Sequence, residues 1–472
     1  MNEFSILQSG LPARIKSRSM GVKLIVVCGL ALFMTIPSFF VEGLVDDRTD
    51  RAREVVRQIS GEVGGQQTFL GPTLAIPYAI PPQSKEASAE HGIYLVFPSQ
   101  ASAVVKTATA ERRRSLFKVP VFQADLKLDA TFDLTGVPAV LPAGAVPDWS
   151  RAEIVVGVSD ARGALADASL TADGKTSVLV PAAIAPDLSI GSDQNQRVKL
   201  TLFGANAASL AKPNAQFSVS SLLKFSGAQR LAVLAFGKTT QVAMQGDWPS
   251  PGFDGGFVPA DRTVSKDGYA VKWSVPFIAR GVRAEGVADS IAGLDATALG
   301  VSFVEVADAY QSVNRSLKYA LLFLGLLFLS YFVFEVSTGK RVHPAQYVLV
   351  GVAQIIFYLL LLSLAERIGF DWAFLIAGAA TVALLSVNAG WIFASRTQGI
   401  KVLAIFTSLY ALIYMLLRLE DNALLVGAIA SFMAVAIAMY FTRGIDWYSS
   451  LPVTGADDPP APPPIPIPKS AA

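Results

Sequence analysis

Residue types that most often carry chemistry are scarce in this chain. Its 472 residues include two histidines, His91 and His343, and one cysteine, Cys28. We place His91 in a polar loop and His343 beside a distant apolar run, which excludes the usual histidine and cysteine metal clusters. Cys28 lies inside an apolar run and is expected to be a small buried hydrophobe. Spacings typical of a carboxylate calcium site are also missing, and we predict no metal and no cofactor.

Two short segments match catalytic or phosphate-binding motifs only in part. GAQRLAVLAFGKTT has the Gly237 and Lys238 end of a phosphate-binding loop, but Ala232 stands where the pattern needs its first glycine. We therefore predict a strand, RLAVLAF, followed by a turn. GVSDA around Ser159 lacks the second glycine of a hydrolase nucleophile elbow. These segments predict no catalytic residue, and we expect the protein not to be an enzyme.

The composition indicates that part of the chain is solvated by lipid. Hydrophobic residues make up 52% and charged residues 16%, whereas ordinary soluble domains are roughly 25% charged. The 39 Lys and Arg nearly balance the 37 Asp and Glu. Because no basic block stands out, nucleic acid is not an expected partner, and the lipid bilayer is.

Six apolar segments are long enough, or nearly so, to cross about 30 Å of hydrocarbon at ~1.5 Å per residue. The second and fifth are 16 residues long, near the lower limit, and depend on snorkelling of flanking Lys and Arg. The first ends in IPSFFVEGL, whose bulky residues do not fit a cleavage site, so we predict an uncleaved anchor. The predicted transmembrane helices are 23–41, 319–334, 342–365, 372–395, 402–417 and 422–442.

Basic residues near the ends of these segments predict the orientation, because Lys and Arg are held on the cytoplasmic side. They fall in residues 1–22, at Lys340 and Arg341, at Arg396 and Lys401, and at Arg443. Both termini are therefore predicted to be cytoplasmic. The last part, 443–472, is rich in proline and is expected to be an extended tail.

Residues 42–318 lack a comparable apolar run and are predicted to form a large domain outside the membrane. The segment DDRTDRAREVVRQISGEV is typical of a charged helix that ends at Gly64 and Gly65. Short segments with period-two alternation follow, separated by Pro and Gly clusters, which favours a β-rich, sandwich-like domain of one or two parts. Aromatic residues from Trp248 to Trp273 favour core packing over a binding groove. The predicted strands lie within ADLKLDATFDL, AEIVVGVSD, KTSVLVPA, QRVKLTLFG, AQFSVSSLLKF and YAVKWSVPF.

Polar groups inside the predicted bundle are few, and their pattern favours hydrogen bonds between packed helices over an ion pathway. A continuous polar cavity reaching Gln354 and Asn388 would instead favour a transporter or channel. Carboxylates at the predicted outer face, Glu366, Asp371, Glu420 and Asp421, leave an enzyme as a third possibility. Their simpler role, shared by Glu335, is that of interfacial caps or salt-bridge partners. The interior polar residues are Gln354, Ser363, Asn388, Thr407 and Ser408.

Several longer segments together carry a family resemblance. They are GGQQTFLGPTLAIPY (64–78), DWPSPGFDGGFVPADRTVSKDGYAVKW (247–273), DAYQSVNRSLKYALLF (308–323), VHPAQYVLVG (342–351), FYLLLLSLAERIGF (357–370), LEDNALLVG (419–427) and MYFTRGIDWY (439–448). In these segments the chain resembles the CreD family of bacterial inner-membrane proteins. Departures are Gly64 and Gly65, where the family commonly has Trp-Gly, and Arg418, where it usually has Gln.

The resemblance implies a protein of cell envelope integrity, envelope stress, colicin tolerance and the response to cell-wall antibiotics. It implies no established catalytic residue. From the size of the domain and the scarcity of chemistry we predict that the periplasmic domain binds or senses a periplasmic or inner-membrane protein. Around His343 we expect a cytoplasmic hairpin, with Pro344 in the first turn of a helix and Gln346 and Tyr347 as interfacial anchors. The motif positions whose role is open are His343, Pro344, Gln346, Glu366, Glu420, Asp421, Arg443, Asp446 and Trp447.

Overall fold

The computed structural model describes residues 20–82, 89–114, 117–137, 141–185, 187–191, 198–288, 291, 293–303, 309–338, 342–419 and 423–443. The described residues divide into two compact units. The helical unit contains those up to Arg48 and from 307 onward. The sheet unit contains those from Thr49 to 306.

Nine α-helices occur among the described residues. Most are nearly uniform runs of Leu, Ile, Val, Phe and Ala, which favour helix in lipid because every backbone group is then paired within the segment. They are α1 Met20–Phe33, α2 Thr35–Val63, α3 Phe277–Arg280, α4 Ala309–Lys318, α5 Ala320–Thr338, α6 Pro344–Ile368, α7 Phe370–Ile392, α8 Arg396–Arg418 and α9 Ala423–Thr442.

Four of the six predicted membrane crossings are confirmed as helices of sufficient length and apolar character. These are the continuous stretch of α1 and α2, and helices α6, α7 and α8. The second predicted crossing, 319–334, lies mainly in α5, which forms with α4 a pair bent by 52° that counts as a fifth span only if the two helices cross together. Helix α9 has 20 residues, and its described part includes the apolar helix Leu425–Ile437. The sixth crossing stays a prediction.

The first predicted crossing is interrupted at Met34, between α1 and α2. Met34 is buried against α6, where a Cβ added to Gly351 would lie 2.7 Å from the Met34 Cγ. The missing side chain of Gly351 thus permits the close approach, as small residues do between membrane helices. Cys28 is exposed on α1, so the expectation that it is buried is wrong, because the described residues leave this side chain uncovered.

The sheet unit contains 19 strands among its described residues. They are β1 Gln67–Ile80, β2 Glu90–Val96, β3 Gln100–Arg114, β4 Phe117–Asp133, β5 Val146–Pro147, β6 Glu153–Val158, β7 Ser169–Ala172, β8 Lys175–Val178, β9 Val180–Pro181, β10 Asp187–Ile190, β11 Val198–Asn206, β12 Gln216–Ala228, β13 Arg230–Leu234, β14 Thr239–Gly246, β15 Pro251–Gly255, β16 Asp261–Ser265, β17 Gly268–Val275, β18 Glu285–Val287 and β19 Ala298–Phe303.

These strands form two sheets. The first has 11 strands, with the order β10-β11-β6-β1-β13-β19-β15 and β2, β5, β9 and β18 attached at its sides. The second has eight strands in the order β16-β17-β14-β3-β4-β12-β7-β8. Neighbouring strands are antiparallel except for β1 with β13 and β14 with β3. All six strand segments predicted from alternation are confirmed, as is RLAVLAF, which contains β13.

One apolar core contains residues of both sheets, including Phe69 and Leu299 from the first and Phe122 and Trp273 from the second. The Trp273 indole donates a hydrogen bond to the Phe257 carbonyl at 3.1 Å, which satisfies its buried N–H. The core interpretation of the Trp248 to Trp273 segment is therefore confirmed. His91, expected in a loop, pairs instead with Ala79 in the β1–β2 ladder, because both strands continue as a hairpin to Ile80 and Glu90.

Helix α2 ends at Val63, as the two glycines after it predicted. Gly64 and Gly65 have φ of 95° and 62°, in the left-handed region that glycine adopts without strain. The turn brings in Gln67, whose fully buried amide nitrogen donates to the carbonyls of Gly64 at 2.8 Å and Asp160 at 2.9 Å, and to that of Ser226 at 3.3 Å. Gln67 therefore fastens the end of α2 to both sheets.

Replacing Gln67 with Met is expected to lower the free energy of unfolding by about 2–4 kcal/mol, because buried carbonyls would lose their donor. Gln66 is exposed, and Gln66→Met is the matched control, with an expected effect below about 0.5 kcal/mol. Thermal unfolding of the purified full chain, with hydrogen exchange followed in the peptide around residue 67, measures both. Equal effects of the two variants would contradict the role given to Gln67.

Candidate functional site

Glu335, near the end of α5, is the most deeply buried carboxylate among the described residues, with 1% of its surface exposed. Its Oε1 forms an ion pair with the Lys23 Nζ of α1 and accepts the Val342 backbone N–H at 3.0 Å. Its Oε2 accepts the Tyr347 hydroxyl at 3.1 Å. Lys23 also donates to the Val342 carbonyl at 2.6 Å. One carboxylate thus joins α1, α5 and the start of α6.

The start of α6 positions two of the donors to Glu335. His343 is the N-cap, and its Nδ1 accepts the Ala345 N–H at 3.2 Å, with Pro344 in the first turn. This geometry confirms that Pro344 lies in the first turn of α6 and gives exposed His343 a capping role. It also leaves the Val342 N–H free to face Glu335 and places Tyr347 one turn inside the helix. The prediction that Tyr347 is an interfacial anchor is wrong, because it is fully buried on Glu335.

A buried carboxylate in a membrane bundle is costly unless it is neutralised and hydrogen-bonded. Glu335 has one cationic partner and two neutral donors among the described residues. The expectation that Glu335 is a salt-bridge partner is confirmed, and its side chain is buried between helices. The arrangement favours a structural role for Glu335, because both oxygens of its carboxylate are already bound by donors of the chain.

A second carboxylate, Glu366 of α6, lies at the other end of the helical unit. Its Oε1 accepts the Tyr310 hydroxyl of α4 at 3.0 Å and lies 3.9 Å from the Arg48 Nη1 of α2. The Glu366 side chain is 9% exposed and that of Arg48 is 43% exposed. The ion pair is long and partly solvated, so the hydrogen bond from Tyr310 is the stronger contact. We call this the connector end, because α2 and α4 lead from it to residues 49–306.

Of the five polar residues predicted inside the bundle, Gln354 and Asn388 form hydrogen bonds between helices, whereas Ser363, Thr407 and Ser408 are exposed. Gln354 Oε1 accepts the Tyr410 hydroxyl at 2.8 Å, and the rings of Phe323 and Phe357 lie edge-on to Tyr410 at 4.7 and 5.1 Å. Ser408 donates to the carbonyl one turn earlier, and Ser363 is exposed. Asn388 lies at 3.5 Å from Gln346, at hydrogen-bonding range.

A groove of about 580 Å³ between α7 and α8 has mainly apolar walls. It is lined by Thr407 and Tyr410, but neither Gln354 nor Asn388 lines it. The groove is therefore not the polar cavity that a transporter pathway through those two residues requires.

The sheet unit holds a buried cation, Arg280, at the end of α3. Its Nε donates to the Ala235 carbonyl at 2.7 Å and its guanidinium lies 4.3 Å from the Phe97 ring centroid. Burial lowers the pKa of Arg280 to about 10, because the charged form loses its hydration. The group is still protonated at neutral pH and acts as a donor to backbone carbonyls, which fixes the segment after α3.

The structure brings some of the predicted motif positions together. His343, Pro344 and Gln346 lie at the start of α6, between Val342 and Tyr347, which contact Glu335, whereas Glu366 lies at the connector end. Arg443 is exposed, with its guanidinium 4.3 Å from the Tyr440 ring. Glu420, Asp421, Asp446 and Trp447 lie outside the described residues, as do Lys340 and Arg341. Among the residues that are described, no three His, Cys, Asp or Glu side chains cluster as a metal site would need.

Sequence reasoning missed Lys23, Tyr310 and Tyr347 as partners of carboxylates. The signal available for Lys23 is a single cation at the start of an uncharged run, which indicates orientation and not a partner. Tyr310 and Tyr347 lie in segments that carry the family resemblance, but their spacing in the sequence does not indicate that either contacts a carboxylate.

Comparison with known proteins agrees with this arrangement of apolar helices and an inserted region of strands. A family model described as inner membrane protein CreD matches residues 19–448. The chain is 30% identical over 437 residues to the inner membrane protein CreD of Escherichia coli strain K12, covering 90% of this chain and 93% of that protein. The chain therefore belongs to the CreD family of inner membrane proteins.

Proposed function

We propose that this protein supports cell envelope integrity and the envelope-stress response without being an enzyme. In this proposal the sheet unit is periplasmic and binds or senses an envelope protein, and the helical unit receives its state. Colicin tolerance and the response to cell-wall antibiotics are the cellular effects we expect. Family membership supports the setting, and the contacts of the two carboxylates support the mechanism.

The observation that carries the mechanism is that α2 and α4, the helices that lead to the sheet unit, both contact α6. Helix α6 supplies Glu366, which contacts α2 through Arg48 and α4 through Tyr310. At the opposite end, Glu335 links α1, α5 and the start of α6. Both chain segments that lead to the sheet unit are thus fastened to the same helix. A change in either connector alters contacts that α6 makes, which is what transmission needs.

The other end of the same route lies within the sheet unit. The last turns of α2 pack Ile59 against Val119 and Val121 of β4 and against Ala228. The Arg114 guanidinium donates to the Gln58 side chain at 2.9 Å. Since α2 is unbroken from Thr35 to Val63, a partner that shifts β4 acts on a helix that also carries Arg48.

We further propose six membrane crossings with both termini in the cytoplasm and a proline-rich cytoplasmic tail. The 20 residues of α9 span about 30 Å at ~1.5 Å per residue. This length supports α9 as the sixth crossing. The described basic residues Arg396 and Lys401 lie at the same end as Lys23, as the proposed orientation requires.

Two alternative functions, a transporter or channel and an enzyme, can be tested separately. A transporter or channel for an envelope component requires a polar path, and the groove found between α7 and α8 is mainly apolar. An enzyme would use carboxylates at the connector end, of which Glu366 is hydrogen-bonded to Tyr310 and Asp371 to Tyr414.

The variants Glu366→Gln and Glu366→Leu separate transmission from catalysis. Gln still accepts the Tyr310 hydroxyl, whereas Leu does not, so we expect the first to keep most of the function and the second to lose it. Function is measured as colicin and cell-wall antibiotic sensitivity of cells that lack their own family member and express this chain. A catalytic carboxylate predicts loss with both variants.

The matched control is Asp50→Asn, which removes an exposed partner of Arg53 and is expected to change nothing. Amounts of protein in the membrane are compared for all variants. Full function of Glu366→Leu at normal amounts would contradict the proposed mechanism, and turnover of a peptidoglycan or lipid substrate by the purified chain would contradict the non-enzymatic proposal.

The proposed orientation predicts that Arg367, at the end of α6, and Thr397, at the start of α8, lie on opposite sides of the membrane. Both residues are exposed. With Cys28 replaced by Ser, we expect Arg367→Cys to react with a membrane-impermeant maleimide in spheroplasts. Thr397→Cys is expected to react only after lysis. The reverse pattern would show that the sheet unit is cytoplasmic.

A further inference from the structure

The groove between α7 and α8 is open to the surface of the helical unit and has one charged end. Its walls are stripes at helical spacing on the two helices, with Leu375, Gly378 and Val382 on α7 and Leu403, Thr407 and Ala411 on α8. Its volume of about 580 Å³ is in the range of ligand sites, which is roughly 300–1,000 Å³. A glycine in the wall opens it, since a Cβ on Gly378 would lie 3.2 Å from the Tyr410 ring.

The length of the groove corresponds to one leaflet. It runs along α7 from Asp371 to Val382 and along α8 from Tyr414 back to Leu403. Eleven residues of helix rise about 16 Å, and half of a hydrocarbon core of ~30 Å is about 15 Å. With Asp371 at the membrane surface, as the proposed orientation requires, the groove would stop near the middle of the bilayer.

The charged end offers both signs of charge. Asp371 and Arg418 form an ion pair whose side chains are 52% and 56% exposed, and the Tyr414 hydroxyl donates to Asp371 at 3.1 Å. Because such an exposed pair contributes at most about 1 kcal/mol, each member is free to turn to an outside partner. A phosphate complements Arg418 and an ammonium group complements Asp371.

We propose that this groove binds one zwitterionic phospholipid, with an acyl chain between α7 and α8, its phosphate on Arg418 and its ammonium group on Asp371. The one-leaflet length and the paired charges both fit this occupant. An anionic lipid without an ammonium group leaves Asp371 beside negative charge.

The test uses the full chain in nanodiscs with equal phosphatidylethanolamine and phosphatidylglycerol, and a phosphatidylethanolamine probe carrying a diazirine on its acyl chain. Ala379 lines the groove, whereas the next residue, Ala380, is exposed outside it. We expect Ala379→Phe to reduce labelling of peptides 371–382 and 403–414 about tenfold, equal to ~1.4 kcal/mol. Ala380→Phe is expected to keep it within about twofold.

A second pair of variants controls for the case that Ala379→Phe misfolds. Thr407 lines the opposite wall and Ser408 beside it does not, so Thr407→Phe is expected to reduce labelling and Ser408→Phe to leave it unchanged. For the head group, we expect excess phosphatidylethanolamine to compete better than phosphatidylglycerol, and Asp371→Asn to abolish that preference. Equal labelling in both members of each pair, or equal competition by the two lipids in the unsubstituted chain, would mean ordinary surrounding lipid and would overturn the proposal.

Discussion

The arrangement of α1, α5 and α6 in the helical unit depends on how the buried carboxylate of Glu335 is neutralised. Among apolar helices in lipid, moving a Leu side chain from lipid to a helix interface gains little, so apolar packing alone specifies helix position weakly. The ion pair of Lys23 with Glu335 and the donors Val342 and Tyr347 supply a directional contact that exists in one arrangement only. It is this contact, together with Met34 on Gly351, that fixes α1 beside α5 and α6.

The same principle operates at the connector end, with a weaker set of contacts. Glu366 is held by one neutral hydroxyl and one distant cation, whereas Glu335 is fully enclosed. The difference in burial indicates that the contacts of Glu335 hold the helices more firmly than those of Glu366. In the sheet unit, the buried amide of Gln67 and the apolar contacts of Ile59 hold the far end of α2. One helix thus carries specific contacts in each unit.

Much of the architecture is predictable from short-range pattern, and the site is not. Alternation predicted β12, because its inward residues face one core, and Pro344 predicted the start of α6. Strand β3 was missed because its identity depends on pairing with β4 and β14 over long separations. Lys23 and Glu335 are 312 positions apart, and no local signal joins them. Tyr347 looked interfacial, since its hydroxyl partner becomes apparent only when the helices are assembled.

A double-mutant cycle on Lys23 and Glu335 tests the central claim most directly. Reversible unfolding of the purified full chain in detergent would be compared for Lys23→Met, Glu335→Gln and the double variant. Each single change should cost about 3–5 kcal/mol, because it leaves a buried group without its partner, and the double variant should cost less than their sum by at least ~2 kcal/mol. The exposed pair of Arg57 with Glu54 is the control, with an expected coupling below about 1 kcal/mol. Additivity within ~0.5 kcal/mol at Lys23 and Glu335 would contradict the account.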